Sequence, residues 1–121
     1  MANPNIISIS SMEGKTSLAE LTTLTSTLFT VPTAGNVVYK VNTILASNKH
    51  NTNAVEVTVK LVRNSTDYEV FNKINVPNKS TMVLNSRDSS FYMEQGDTLS
   101  AFASASGDAN IFVSYEIIEQ S

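Results

Sequence analysis

The sequence contains no cysteine and no tryptophan, a single histidine, four glycines and three prolines among 121 residues. Each shortage removes a class of function. Without cysteine there is no disulfide framework, no thiolate metal site and no cysteine nucleophile. The fold must hold by burial and hydrogen bonding alone, and a single domain of this length hides roughly two thirds of its extended-chain surface. Without tryptophan, and with few aromatics, the platform on which most sugar sites are built is missing. No phosphate loop, dinucleotide fingerprint or Gly-x-Ser-x-Gly elbow occurs. No segment approaches the ~20 apolar residues of a membrane helix. Met1 to Asn5 carries no Lys or Arg ahead of an apolar run, so no secretory signal is expected. The chain is therefore expected to be made in a reducing cytoplasm, and the sequons at Asn64 and Asn78 are read as chance in an Asn/Ser/Thr-rich sequence.

Basic charge is also scarce. Eight Lys and Arg stand against eleven Asp and Glu, for a net charge of -3, and the basic residues are scattered singly. Sequence-independent nucleic-acid binding and anionic membranes both call for a basic cluster. Neither partner is expected.

What the sequence does have is period-two alternation. Val37, Tyr39, Val41, Thr43 and Leu45 share one face of a strand over Val37–Ser47, with Lys40 and Asn42 opposite. Val55, Val57, Val59 and Leu61 alternate with Glu56, Thr58 and Lys60, and Ile111, Val113, Tyr115 and Ile117 alternate with Asn110, Ser114 and Glu116. Successive side chains leave opposite faces of a pleated sheet, so alternation marks a half-buried strand. Weaker strands are predicted at Tyr68–Val76, Thr81–Asn85, Ser90–Met93 and Thr98–Ala105. In the first of these, the face Tyr68, Val70, Ile74 and Val76 is interrupted by Asn72 and leaves Phe71 unexplained. In the last, Leu99, Ala101, Ala103 and Ala105 are small enough to pack beside large residues of a facing sheet.

Turn residues punctuate the runs, including Pro77, Gly96 and Gly107. Strands separated by turns every 8–12 residues or so indicate a sandwich or barrel. Between Thr16 and Thr30, Leu18, Leu21, Leu24 and Leu28 have helical spacing, but Thr22, Thr23, Thr25 and Thr27 favour extended chain. The expected fold is all-β: one antiparallel β-sandwich of jelly-roll type with about eight strands, spanning residues 16–121. Residues 1–15, polar apart from Ile6, Ile7 and Ile9, are an N-terminal arm or the first strand. Three isoleucines in a polar start make Ile6, Ile7 and Ile9 the candidate assembly contacts, since an exposed tail gains nothing from them.

Few residues suggest chemistry. His50 lies between Lys49 and Asn51 in a polar loop and reads as solvated. Asp88, Glu94, Asp97 and Asp108 fall in loops of the second half, where turn capping accounts for them more simply than a calcium site or a glycosidase pair. Phe29, Phe71, Phe91, Phe102 and Phe112 are spread over different strands and read as core or interface. No catalytic residue, cofactor or metal ligand is expected, and the chain is not expected to be an enzyme.

Thr27-Leu28-Phe29-Thr30-Val31-Pro32 leads through Gly35 to a strand ending Ile44-Leu45-Ala46-Ser47-Asn48. Val55-Glu56-Val57-Thr58-Val59, Ile74-Asn75-Val76-Pro77 and Glu94-Gln95-Gly96-Asp97-Thr98-Leu99 follow, and the chain closes on Val113-Ser114-Tyr115-Glu116-Ile117. This order, over roughly residues 25–118, resembles small β-sandwich virion structural proteins of tailed bacteriophages, such as capsid cement or decoration proteins of cyanophages. The resemblance implies a structural protein in the virion, a homo-oligomer (a trimer first) bound to the major capsid protein, with no catalytic residues to carry over. A tail, neck or fibre module that binds a receptor or sugar is the alternative.

Overall fold

The computed structural model describes residues 9–120. Within them the alternating segments form strands: β1 (Ile9–Glu20), β2 (Ser26–Thr30), β3 (Val37–Asn48), β4 (Val55–Arg63), β5 (Thr66–Val76), β6 (Ser80–Asn85), β7 (Phe91–Met93), β8 (Thr98–Ala103) and β9 (Ala109–Gln120). A 3-10 turn, Arg87–Ser89, lies between β6 and β7. One sheet has the order β1-β9-β3-β6, with β7 also paired to β3, and the other the order β2-β8-β4-β5. Every pairing is antiparallel. The all-β expectation of two packed antiparallel sheets holds, with nine strands among the described residues.

The core lies between the sheets. Val55, Val57 and Val59 of β4 are buried in it with Ile111, Val113 and Tyr115 of β9. The small residues of β8 sit beside the larger ones of β4, with Ala103 paired to Val57 and Ala101 to Val59. The β4–β5 hairpin closes through Asn64 and Ser65, at φ 54° and 63°, the two left-handed residues that match a tight turn to strand twist.

Alternation misassigns two faces. In β3 the register shifts between Val41 and Thr43. Because the side-chain period is two, one inserted residue exchanges the faces of everything beyond it. Ile44 and Ala46 therefore enter the core, and Thr43 and Leu45, expected there, turn outward. In β5 the register shifts twice against β4, between Val57 and Val59 and between Val59 and Lys60. Phe71 is thereby brought opposite Val59 and packs on the core, while Tyr68 is exposed. The residue that had no place in the alternation is half-buried against the core.

The stretch from Thr16 to Thr30 is extended but bent. The Leu21 amide donates to the Ala109 carbonyl (2.8 Å), and the Ala103 amide donates to that of Thr22 (2.8 Å). These bonds carry the chain from one sheet to the other and bury Leu21 at the crossing. Leu18 and Leu24, which fit both sequence patterns, are exposed. β1 runs through the boundary placed at residues 15 and 16, pairing with β9 as far as Glu20. Of the candidate assembly contacts, Ile9 opens this strand, and Ile6 and Ile7 lie outside the described residues.

Candidate assembly surface

The outer face of the larger sheet carries an apolar row that alternation alone would not place there. Leu18 of β1 pairs with Phe112 of β9, Phe112 with Leu45 of β3, and Leu45 with Val83 of β6. The row crosses four strands. Leu18 is 65% exposed and Val83 60%, with Phe112 and Leu45 half-buried between them. On one side lie Glu20, Asn110, Ser47 and Thr81; on the other Thr16, Ser114 and Thr43, hydroxyl-bearing and uncharged. A shallow groove along β1 and β9 is lined by Leu18, Ala19, Glu20, Asn110, Ile111 and Phe112. The signal in the sequence was Phe112 itself, a large apolar residue at the polar phase of an alternating strand. Leu45 was misread as core because the bulge was not visible.

The same sheet ends in an aromatic stack. The ring centroids of Phe29 and Tyr115 lie 4.3 Å apart, and those of Tyr39 and Tyr115 5.3 Å apart, both stacked. Such pairs add to simple burial. Burial, then Tyr115, then the charge of Glu13 raise the Tyr39 phenol above its ordinary value. Lys15 pairs with Tyr115 and Glu13 with Ile117, so both charges of mid-β1 stand beside this stack at the sheet edge.

At Asn42, the bulge residue, the side-chain amide donates to Glu116 Oε1 (3.2 Å), while Oδ1 is buried without a hydrogen-bond partner. Asn85 Nδ2 donates to the Asn42 carbonyl (3.3 Å).

Of the four loop carboxylates singled out, the structure brings Glu94 and Asp97 together at Arg63. Asp97, 1% exposed, receives Arg63 Nε at 2.9 Å and Nη2 at 2.6 Å, and the Glu94 amide at 2.8 Å. Its backbone joins the turn to β2 through the Val31 amide (2.9 Å). This bidentate geometry is the strong form of an ion pair, and it occupies Asp97 as a clamp between β4, β2 and the Gly96 turn. Asp97 raises the Arg63 guanidinium value through that bond. Asp88 stands in the 3-10 turn and Asp108 beside the Gly107 turn, away from this pair. Among the described residues no group of three or more His, Cys, Asp or Glu is placed to hold a metal ion.

His50, expected to be solvated, is half-buried, and its Nδ1 accepts the amides of Thr52 (3.1 Å) and Asn53 (2.9 Å). Its own amide donates to Asn48 Oδ1 (2.9 Å). The ring organises its loop.

No family model and no curated protein matches this chain. Among solved structures it is similar to one described under the words "Bacillus endospore appendages form a novel family of disulfide-linked pili". The TM-score is 0.56 at 14% identity, covering 100% of this chain and 96% of that one. At that identity the likeness concerns the fold. The disulfides in that description have no counterpart here, since this chain has no cysteine.

Proposed function

We propose that this chain is a non-enzymatic structural subunit that works by packing against other proteins in a larger assembly. The observation carrying this reading is the Leu18–Phe112–Leu45–Val83 row, an apolar band across a face that the chain's own core does not use. Covering a side chain of this kind favours association by roughly 1.5–3 kcal/mol relative to exposure. The fold reading is a jelly roll. It is supported by the strand order, in which the first and last strands pair at one edge of one sheet and the second and eighth at one edge of the other.

Within this class the first reading is a cement or decoration protein of a tailed-phage head, bound as a homotrimer to the major capsid protein. It rests on the sequence resemblance and on a compact sandwich with one unpartnered face. Closed homo-oligomers are the common state of such subunits. A tail, neck or fibre module that binds a receptor or sugar stays as its alternative within the virion. A second reading, a subunit of a surface filament, is favoured by the likeness to the pilus structure. A filament of this chain would have to hold without disulfides.

Electron microscopy of intact particles tests the first reading. Density for this chain over the shell, at a copy number comparable to the major capsid protein, is the expected result. Its absence from particles, or a copy number of a few per particle, overturns the head assignment. Leu18→Asp should leave the fold intact and abolish shell binding.

A further inference from the structure

We infer that β1 is an open edge for a second copy of this chain, the two β1 strands pairing antiparallel about a two-fold axis at Gly14. This goes beyond the proposed function and holds wherever in an assembly the subunit stands: the contact makes a dimer alone and a link between trimers on a shell.

Sheet edges carry rows of unpaired amides and carbonyls, and proteins usually blunt them. β2 is five residues long and is followed closely by Pro32. β5 has two register shifts. β6 is six residues long and shares its side of β3 with the three-residue β7. β1 has a single register shift, between Ile9 and Ser11 at its start, and two charged residues, Glu13 and Lys15, that restrict which neighbour can pair with it. From Ser11 to Glu20 its ladder to β9 runs without a shift, leaving its other side regular and unpaired among the described residues.

Gly14 has no internal cause. It is outside the left-handed region, and a Cβ placed on it would meet nothing within 4 Å. Glycine weakens a strand unless a bulge, a bend or another backbone requires it. No bulge occurs there, and the middle of the free edge is left without a side chain, with room for one.

Charge selects the register. A two-fold axis normal to the sheet keeps inner faces with inner faces, so each residue must meet one of its own parity. Centring the pair on Glu13 sets Glu13 against itself, and centring it on Lys15 sets Lys15 against itself; like charges directly opposite are destabilising. Centring it on Gly14 sets each Glu13 against the other copy's Lys15, two opposite-charge pairs, with Met12 against Thr16. Glu13, Gly14 and Lys15 are all exposed in the single chain.

Engineered cysteines test this cleanly, because the chain has none. Directly opposed Cα atoms in an antiparallel pair lie about 4.5–5.5 Å apart, within disulfide range. Gly14→Cys should therefore form a covalent dimer rapidly under mild oxidation. Thr16→Cys should not, because its symmetry mate lies four residues along, roughly 13 Å away. By sedimentation, Glu13→Lys or Lys15→Glu alone should weaken self-association at least tenfold, and Glu13→Lys with Lys15→Glu should restore it. A parent chain that stays monomeric at millimolar concentration overturns the inference. So does equal cross-linking at both cysteine positions, or a charge-exchanged double variant no tighter than the single ones.

Discussion

β1 and β5 are both edge strands, of twelve and eleven residues, and they manage their free sides in opposite ways. β5 is interrupted twice by extra residues. Lys73, at φ 50°, lies in one interruption, and its amide is taken by the side chain of Thr58 in β4, at Oγ1 (3.1 Å), rather than by a backbone carbonyl of the ladder. A bulge leaves its extra residue unpaired and sharpens the local twist, so a flat partner cannot continue the ladder. β1 is regular from Ser11 to Glu20, its one shift lying at its start, and carries a glycine at its centre. Length and composition do not separate an edge that is shut from one that is open. The position of the inserted residues does.

Both edges rest on one core, and the largest effect comes from striking it. Val57→Asp places a charge without a partner between the sheets. It should cost about 4 kcal/mol or more, enough to abolish a cooperative urea transition and with it any difference between the edges. A melting temperature close to that of the parent would contradict the register given for β4.

Arg63→Met comes next. It leaves the buried Asp97 carboxylate without its bidentate partner, at the end of β4 nearest the β5 hairpin. Arg63 is partly exposed, so the expected loss is about 2–4 kcal/mol, read from the shift in urea midpoint. Self-association through β1, followed at a urea concentration where the variant is still folded, should be unchanged. A parallel loss of association would mean that the two edges are not independent.

Thr58→Val sharpens the comparison at β5 itself. It strands the Lys73 amide at the bulge and should cost about 1–2 kcal/mol. Hydrogen exchange should show faster exchange at Lys73 and no change in β1. If β1 amides respond equally, the bulge is not a local device.

The smallest effect is a pH slope beside the β1 edge. Burial, Tyr115 and Glu13 raise Tyr39 above 10.0, its unfolded value. The fold binds that proton more tightly than the unfolded chain does. Its contribution to stability is therefore complete below pH 10 and falls as pH rises through the raised folded value. Urea unfolding between about pH 9 and pH 11 should show this decline, and Tyr39→Phe should flatten it. An unchanged slope would assign the decline to other groups.

How much of this was legible beforehand differs from strand to strand. Val55–Arg63 and Ala109–Gln120 were readable because one face is buried and one is not, and a two-residue period records that division directly. The turns at Gly96 and Gly107 were readable because glycine tolerates a left-handed backbone that few other residues do. Leu45 was misplaced, and Phe71 left unexplained by the alternation, for one reason. A bulge adds a residue without leaving a mark in hydrophobicity, and everything past it changes face. Leu18 fitted two periodicities and served neither, since nothing in a local pattern tells an apolar residue that it will face outward.

The sequence by itself therefore determined the class: all-β, stapled by nothing, with strands whose faces divide apolar from polar and with no clustered chemistry. Those are properties of residue type and short-range spacing. The tertiary structure alone decided which sheet each strand joined, where Asn42 and Lys73 break the register, and that Arg63 would clamp Asp97 across 34 positions. It also aligned Leu18, Phe112, Leu45 and Val83, drawn from four strands, into one exposed row. The physical reason is that pairing register and sheet order are set by contacts distant in sequence, and an outward-facing row exists only once those contacts have formed.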